Sequence, residues 1–395
     1  MSRILFAWEL GGGTGHLHHL AAVAQALKRQ DHELLFAVRD LATASRFQGL
    51  AGSTLLQAPV LMREAKLPPS LNYAELLNRV GYLDVTILSG LIGAWRQLIR
   101  LVDPDLVLVD HSPTALIAAR LEGVPRASIG TGFMMPPRVS PMPTMQPWRS
   151  IDPARLARAE ADVLARINAA VTGQGGRAFS ALFEILDVQG RFLTTFPEFD
   201  HYGPRAEEEY LGAIDVSASG KPVEWPVGEG PRLFAYYHAG YPHFADMLDQ
   251  FAQLPWPAVV VAPGASRAQI ARFSAGRLRL TTEQYDLRSV AASAALAVCH
   301  AGHGTMAALV RGGCPIVMLP VMIEQAQCAF RVSQSGVGLS VKIENGKPDV
   351  VGAIRRMLDD GAYGVRAKSL AQRYAAIDPV VQAERIARMC EEIIT

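Results

Sequence analysis

The sequence predicts an α/β protein built from two Rossmann-like, doubly wound domains, and three observations carry that expectation. At 395 residues the chain exceeds what one hydrophobic core usually serves. An apolar strand, a glycine-rich loop, a helical pattern and a second apolar strand follow one another within the first 40 residues, the signature of a crossover unit in a parallel sheet. The same alternation returns after a break in the middle of the chain.

Ile4–Trp8 is the first strand. After the glycines, Leu20, Val23, Ala24 and Leu27 recur at helical spacing, and Leu34–Val38 is the second strand. The pattern repeats with strand Leu106–Val109, helix Pro113–Glu122 and strand Ala127–Ile129. From Phe133 to Trp148 five prolines exclude a helix or a central strand, so this is a long loop. Helices near Pro153–Val171 and Arg177–Leu186 come next, then a strand at Phe192 and Leu193. Residues 215–230 mix glycine, proline and serine without period and are read as a linker between a domain at 1–214 and a domain at 231–375. In the second half Arg232–Tyr236, Ala258–Val261, Leu296–Cys299 and Ile316–Leu319 read as strands. The tail, 376–395, holds an amphipathic helix, Ala383–Ile394, that could pack back on the first domain.

Half the residues are apolar, 19% are charged and the net charge is +1, which speaks against nucleic acid as a partner. Four cysteines without a CxxC pair read as buried thiols in a reducing compartment, and the expected location is the cytoplasm. The apolar start breaks at Glu9 and runs into glycines, so it reads as a strand and not as a signal peptide. No uncharged apolar stretch of about 18 residues suggests an integral membrane segment.

The chemistry concentrates in His-Ala-Gly-His-Gly-Thr, residues 300–305. A strand ends at Cys299 and a helix begins just after, so Gly302 and Gly304 lie where α/β sheets bind ligands. Glycines admit an anion to the backbone, and the N–H groups and dipole of a helix start favour its charge. His300 and Thr305 can each donate a hydrogen bond to a phosphate oxygen, and His303 stands in the same turn. A diphosphate fits this description, although a tight packing turn gives the same glycines. Glu324-Gln325, a carboxylate and an amide, suit sugar hydroxyls.

The run HAGHGTMAALVRGGCPIVMLPVMIEQAQCAFRVSQSGVGLSV resembles the donor-binding segment of the UDP-glycosyltransferase superfamily, in particular its bacterial branch acting on macrolides, glycopeptides and flavonoids. The resemblance implies the GT-B fold, in which two Rossmann-like domains face each other across a cleft. It also implies a metal-independent, inverting hexosyltransferase with a UDP- or dTDP-sugar as co-substrate, a small, largely apolar acceptor and no cofactor. His300 and Thr305 would hold the diphosphate, and Glu324 and Gln325 the donor sugar. The chain departs from the plant-type pattern at Ala308, where a ribose-binding Glu is usual, and at Thr282, where a base-stacking Trp is usual; Tyr285 could substitute. His238-Ala239-Gly240 stands where the family has a Gly-Ser or Gly-Thr turn, so His238 and Gly240 are nucleotide contacts or a structural turn.

Gly11-Gly12-Gly13-Thr14-Gly15-His16 follows the first strand, which puts His16 at the carboxyl edge of the sheet. The family's Gly-His-x-x-Pro motif implies that His16 is the general base, with His19 here in the proline's place. Asp110 ends Pro-Asp-Leu-Val-Leu-Val-Asp, where the family has the acid that orients the base. Packing at a helix start is the alternative for His16, and a helix cap is the alternative for Asp110. His18 and His19 lack carboxylate partners in sequence, so no metal site is expected. Phe133, Met134, Met135, Met142, Met145 and Trp148 are adaptable apolar side chains that either line an acceptor pocket or cover the core. GGGTGH also resembles the glycine-rich loop of the lipid-linked GlcNAc transferase of peptidoglycan synthesis, which implies a lipid acceptor as an alternative. A non-catalytic sugar-nucleotide-binding or partner-activating protein and an epimerase are the other readings, and a homodimer is left open.

Overall fold

A computed structural model of the chain describes residues 2–214, 220–341, 343–344 and 346–395. Its contacts divide it into two units, Met1–Asp215 with Asp378–Thr395, and Val216–Ile377.

The first unit runs β1 (Arg3–Trp8), α1 (Gly15–Lys28), β2 (Glu33–Val38), α2 (Leu41–Arg46), β3 (Thr54–Gln57), α3 (Tyr73–Leu77), α4 (Val85–Val102), β4 (Leu106–Asp110), α5 (Pro113–Glu122), β5 (Arg126–Gly130), α6 (Pro153–Thr172) and β6 (Gly190–Leu193). Its strands form a parallel sheet in the order β3-β2-β1-β4-β5-β6. β1 and β4 are apolar and buried on both faces, as a sheet covered by helices on each side requires. Order reverses between β1 and β4, and the loops leaving these two strands open the crevice where such sheets take ligands.

The second unit repeats the plan with β7 (Leu233–Tyr236), α7 (Phe244–Ala252), β8 (Ala258–Val261), α8 (Arg267–Phe273), β9 (Leu278–Thr281), α9 (Leu287–Ser293), β10 (Leu296–Cys299), α10 (His303–Arg311), β11 (Ile316–Met318), α11 (Ile323–Ser335), β12 (Gly338–Ser340), α12 (Val350–Asp359) and α13 (Ala362–Arg373). The parallel order is β12-β11-β10-β7-β8-β9, so its switch point lies between β7 and β10.

The last helix, α14 (Pro379–Ile394), returns to the first unit. Ile386, Ala387 and Cys390 enter the cluster built by Leu17, Leu20 and Leu27 of α1. Each large apolar side chain so buried contributes about 1.5–3 kcal/mol. His32 Nε2 and Glu391 Oε1 lie 3.0 Å apart, and Arg29 pairs with Glu384 at 2.8 Å.

Several expectations need correction. Residues 215–219 of the expected linker lie outside the described residues. The rest is no free linker, because the Val223 N–H donates to Ser289 Oγ and the Trp225 indole donates to Ser293 Oγ, which fasten it to α9. The helix expected over Arg177–Leu186 reduces to a single 3-10 turn at Leu182–Leu186. Asn168 accepts from the Phe179 N–H and donates to the Phe179 carbonyl, taking both groups a helix would use. α4 is the one described helix whose length and apolar composition would let it cross a membrane. It packs into this unit through Leu88, Ile92, Trp95, Ile99 and Val102.

Candidate active site

At the first switch point the loop after β1 and the end of β4 converge on one carboxylate. Asp110 is fully buried, a position a carboxylate tolerates only when paired. Its Oδ1 accepts from His16 Nδ1 at 2.9 Å and its Oδ2 from His19 Nδ1 at 3.3 Å. Burial alone would raise its pKa, but the charge and hydrogen bonds of His16 and the hydrogen bond of His19 outweigh that, holding the carboxyl well below the usual carboxylate range. An anionic Asp110 requires the proton on His16 Nδ1 and leaves the lone pair on Nε2. The Trp8 ring stacks on His16 at 5.2 Å and fixes its plane.

Gly11 completes the arrangement. Its φ is +88°, in the left-handed region, and a Cβ there would collide with His16 Nε2. The bare backbone thus keeps that nitrogen open. In sequence Gly11 is one glycine among several and His111 carries no motif. His111 also has positive φ, +50°, and its ring lies 6.2 Å from His16. Its Nε2 is buried without a hydrogen-bond partner. Burial first, then the charge of His16, pushes its pKa down to about 3 against the pull of Asp110. Glu9, at the end of β1, accepts from Ser112 Oγ at 3.0 Å and from the Thr114 N–H at 3.1 Å and so ties off the start of α5. Burial raises its pKa to about 7 although these bonds oppose the shift. With Glu9 holding the start of α5, Asp110 is not its cap.

In the second unit β10 delivers His300. Ala301 follows with φ +64°, and Gly302 caps α10, whose first residues are His303, Gly304 and Thr305. No side chain caps this helix start, an arrangement that suits an anion. A Cβ on Gly302 would stand 2.9 Å from His300 Nε2, so a bare backbone again lies beside an imidazole nitrogen. Tyrosine rings surround His300, with centroids 5.6 Å away for Tyr236, 6.3 Å for Tyr237 and 5.2 Å for Tyr241. Burial lowers the His300 pKa, opposed by the charge of Glu324 and the carbonyl of Tyr236. Gln325 is buried and accepts the Val321 N–H at 3.0 Å through Oε1, which aims its NH₂ group; Glu324 beside it is half-buried.

Other expected contacts are placed less favourably. The Gly240 N–H donates to His238 Nδ1 at 3.0 Å, closing the turn on itself. Thr282 is exposed. Tyr285 is buried with Lys221 Nζ 5.7 Å from its ring centroid, which removes it as an open stacking face for a base. In the long loop Met142 and Met145 are fully buried, which favours the reading that they cover the core. Phe133 and Met135 are nearly as buried, Phe133 lying edge-on to His111 at 5.9 Å. Met134 is half-buried and lines a small cavity with His111, Tyr73 and Ser128, while Trp148 is exposed.

No protein-family model matches the chain. It is 24% identical over 393 residues to the PGL/p-HBAD biosynthesis rhamnosyltransferase of Mycobacterium bovis, spanning 94% of this chain and 84% of that protein. Among solved structures it resembles the Streptomyces sp. SF2575 glycosyltransferase SsfS6 complexed with thymidine diphosphate, with a TM-score of 0.65 and 20% identity over 99% of this chain and 100% of that one. It also resembles the calicheamicin glycosyltransferase CalG4, with a TM-score of 0.70 and 18% identity over 99% of each chain. The two Rossmann-like units are therefore those of the GT-B fold.

Proposed function

We propose that this protein is an inverting, metal-independent glycosyltransferase that moves a sugar from a nucleoside diphosphate to a hydroxyl of a small, largely apolar acceptor. The observation that carries the reading is the His16–Asp110 pair, with Nδ1 bonded to a buried carboxylate and Nε2 beside the bare backbone of Gly11. An acceptor hydroxyl gives its proton to His16 Nε2 as its oxygen bonds to the anomeric carbon. The bond from that carbon to the diphosphate breaks with inversion, and Asp110 stabilises the imidazolium that forms. The leaving diphosphate takes up its charge at the start of α10, against the N–H groups of His303, Gly304 and Thr305, with His300 and the Thr305 hydroxyl as further donors. Glu324 and Gln325 hold the sugar hydroxyls.

The thymidine diphosphate in the SsfS6 structure and the rhamnosyl transfer named for the mycobacterial relative support a dTDP-deoxysugar as the first donor to assay. A thermal-shift screen of dTDP- and UDP-sugars is expected to give a specific donor, and His16→Ala is expected to retain the shift while transfer falls on the order of 10²–10⁴-fold. Transfer unchanged in His16→Ala overturns the mechanism, and the lack of any shift by a nucleoside diphosphate overturns the donor site.

A further inference from the structure

Away from both switch points, the first unit has a second concave feature that the transfer reaction does not use. α4, α5 and the segment after α6 enclose a pocket of about 230 Å³, lined on its polar side by Arg96, Arg120, Gln174 and Arg177. That volume lies just below the roughly 300 Å³ at which small-molecule pockets begin. Its charge is unbalanced. Glu122 is already bonded to Arg96 and Arg100, and Asp187, whose charge reaches Arg126, is paired with Arg138. The Arg120 Cζ lies over the Phe179 ring, 3.9 Å from its centroid, and its Nη1 is buried with no hydrogen-bond partner. Arg126 is close enough that its pKa is lowered by its own burial and then by the charge of Arg120. A position in the last turn of α5 accounts for one favourable contact of Arg120 with the helix dipole, but not for a sealed, unsatisfied guanidinium nitrogen facing further arginines.

We infer that this pocket binds a phosphate group, held by Arg120 on its Phe179 platform together with Arg96 and Arg177. Guanidinium forks match phosphate oxygens in pairs, and an aromatic plane under one of them fixes its orientation. The group can arrive on a soluble phosphate or on the headgroup of an anionic lipid.

Arginine labelling by phenylglyoxal, read peptide by peptide in the full chain, tests this away from any donor site. Inorganic phosphate is expected to slow labelling of Arg177 at least fivefold while the exposed Arg158 of α6 is unaffected. Protection by phosphatidylglycerol vesicles but not by inorganic phosphate assigns the group to a lipid, with phosphatidylcholine vesicles as the uncharged comparison. Arg120→Gln is expected to abolish protection. Gln174→Glu, which sets a carboxylate in the pocket at almost unchanged shape, is expected to do the same should Arg120→Gln melt early. Equal labelling with and without every phosphate source, or protection that survives both substitutions, overturns the inference. Neither outcome bears on the transferase reading.

Discussion

The two switch points use the same parts in opposite places. In the first unit the imidazole, His16, belongs to the loop after the first strand, and the fourth strand supplies its partner, Asp110. In the second unit the fourth strand supplies the imidazole, His300, and the first strand and its loop supply Tyr236, Tyr237 and Tyr241. Each histidine has a glycine backbone beside its Nε2. The difference lies behind the ring. Behind His16 a buried carboxylate takes the Nδ1 hydrogen bond and leaves Nε2 as the nitrogen that accepts the proton in the proposed transfer. Burial disfavours the charge on His300 and favours the neutral ring, which under the proposed function donates to an anion that itself carries the charge.

Removing the carboxylate should erase that difference, and it is the largest expected effect. Asp110→Asn keeps the shape but can present an NH₂ group to His16 Nδ1, which moves the ring proton to Nε2. Transfer is expected to fall on the order of 10³–10⁴-fold, as for acids that orient a catalytic histidine. Affinity for the donor should stay within about twofold, measured by titration calorimetry, because the groups proposed to hold the donor lie in the second unit. Gly11→Ala comes next. The new methyl collides with His16 Nε2 and must adopt a φ of +88°, so roughly a 100-fold loss of kcat is expected together with about 1 kcal/mol of stability. A kcat within threefold of wild type would mean that Nε2 is not the working nitrogen.

How much of this the sequence disclosed follows from what each signal measures. Strands such as Leu106–Asp110 were legible because burial on both faces writes an unbroken apolar run. β3, β9 and β12 are three or four residues long and carry polar positions, too little for a period to emerge. His16, Asp110 and the His300–Thr305 turn stood out because the motif sits at strand ends. Gly11 did not, since a glycine's role depends on which atom approaches its missing Cβ, and that is a fact of three dimensions. For Met142 and Met145 the sequence leaves pocket and core open, because a methionine in a proline-rich loop looks the same whichever it faces; their full burial favours the core. His19 has no carboxylate partner near it in sequence, and only the fold brings it to the second oxygen of Asp110.

His111 separates the two sites in another way, through pH. An ordinary histidine titrates near 6.5, and this one is pushed down to about 3, so below pH 6.5 the unfolded chain takes a proton that the native chain refuses. Stability is therefore lost as pH falls from 6.5. Glu9 acts oppositely, since its pKa of about 7 means stability is lost as pH rises from the ordinary carboxylate range. The two slopes offset each other in the window between, so a wild-type melt alone would not reveal either. His111→Asn, with a residue that tolerates positive φ, isolates the first. Between pH 6.5 and pH 5 the stability of the variant relative to wild type is expected to rise by about 1.6 kcal/mol, because the unfolded histidine, half protonated at pH 6.5, takes up the rest of its proton while the native one takes up almost none. A difference independent of pH would show that His111 titrates normally.

The mildest expected change is the closest test of the comparison, because it repeats the Gly11 substitution in the other unit. Gly302 has φ −65°, which any residue adopts, and its added Cβ would meet His300 Nε2 at 2.9 Å, near enough to force the ring aside by a few tenths of an ångström. Gly302→Ala should therefore leave the fold unstrained. If His300 serves only to hold the diphosphate, the cost falls on binding, about a tenfold rise in the KM of the donor, or roughly 1.4 kcal/mol, with kcat nearly unchanged. A fall in kcat as large as that of Gly11→Ala would instead mean that His300 acts on the leaving group as its bond breaks. The two glycines would then guard two reacting nitrogens, and the division between a proton site and an anion site would no longer hold.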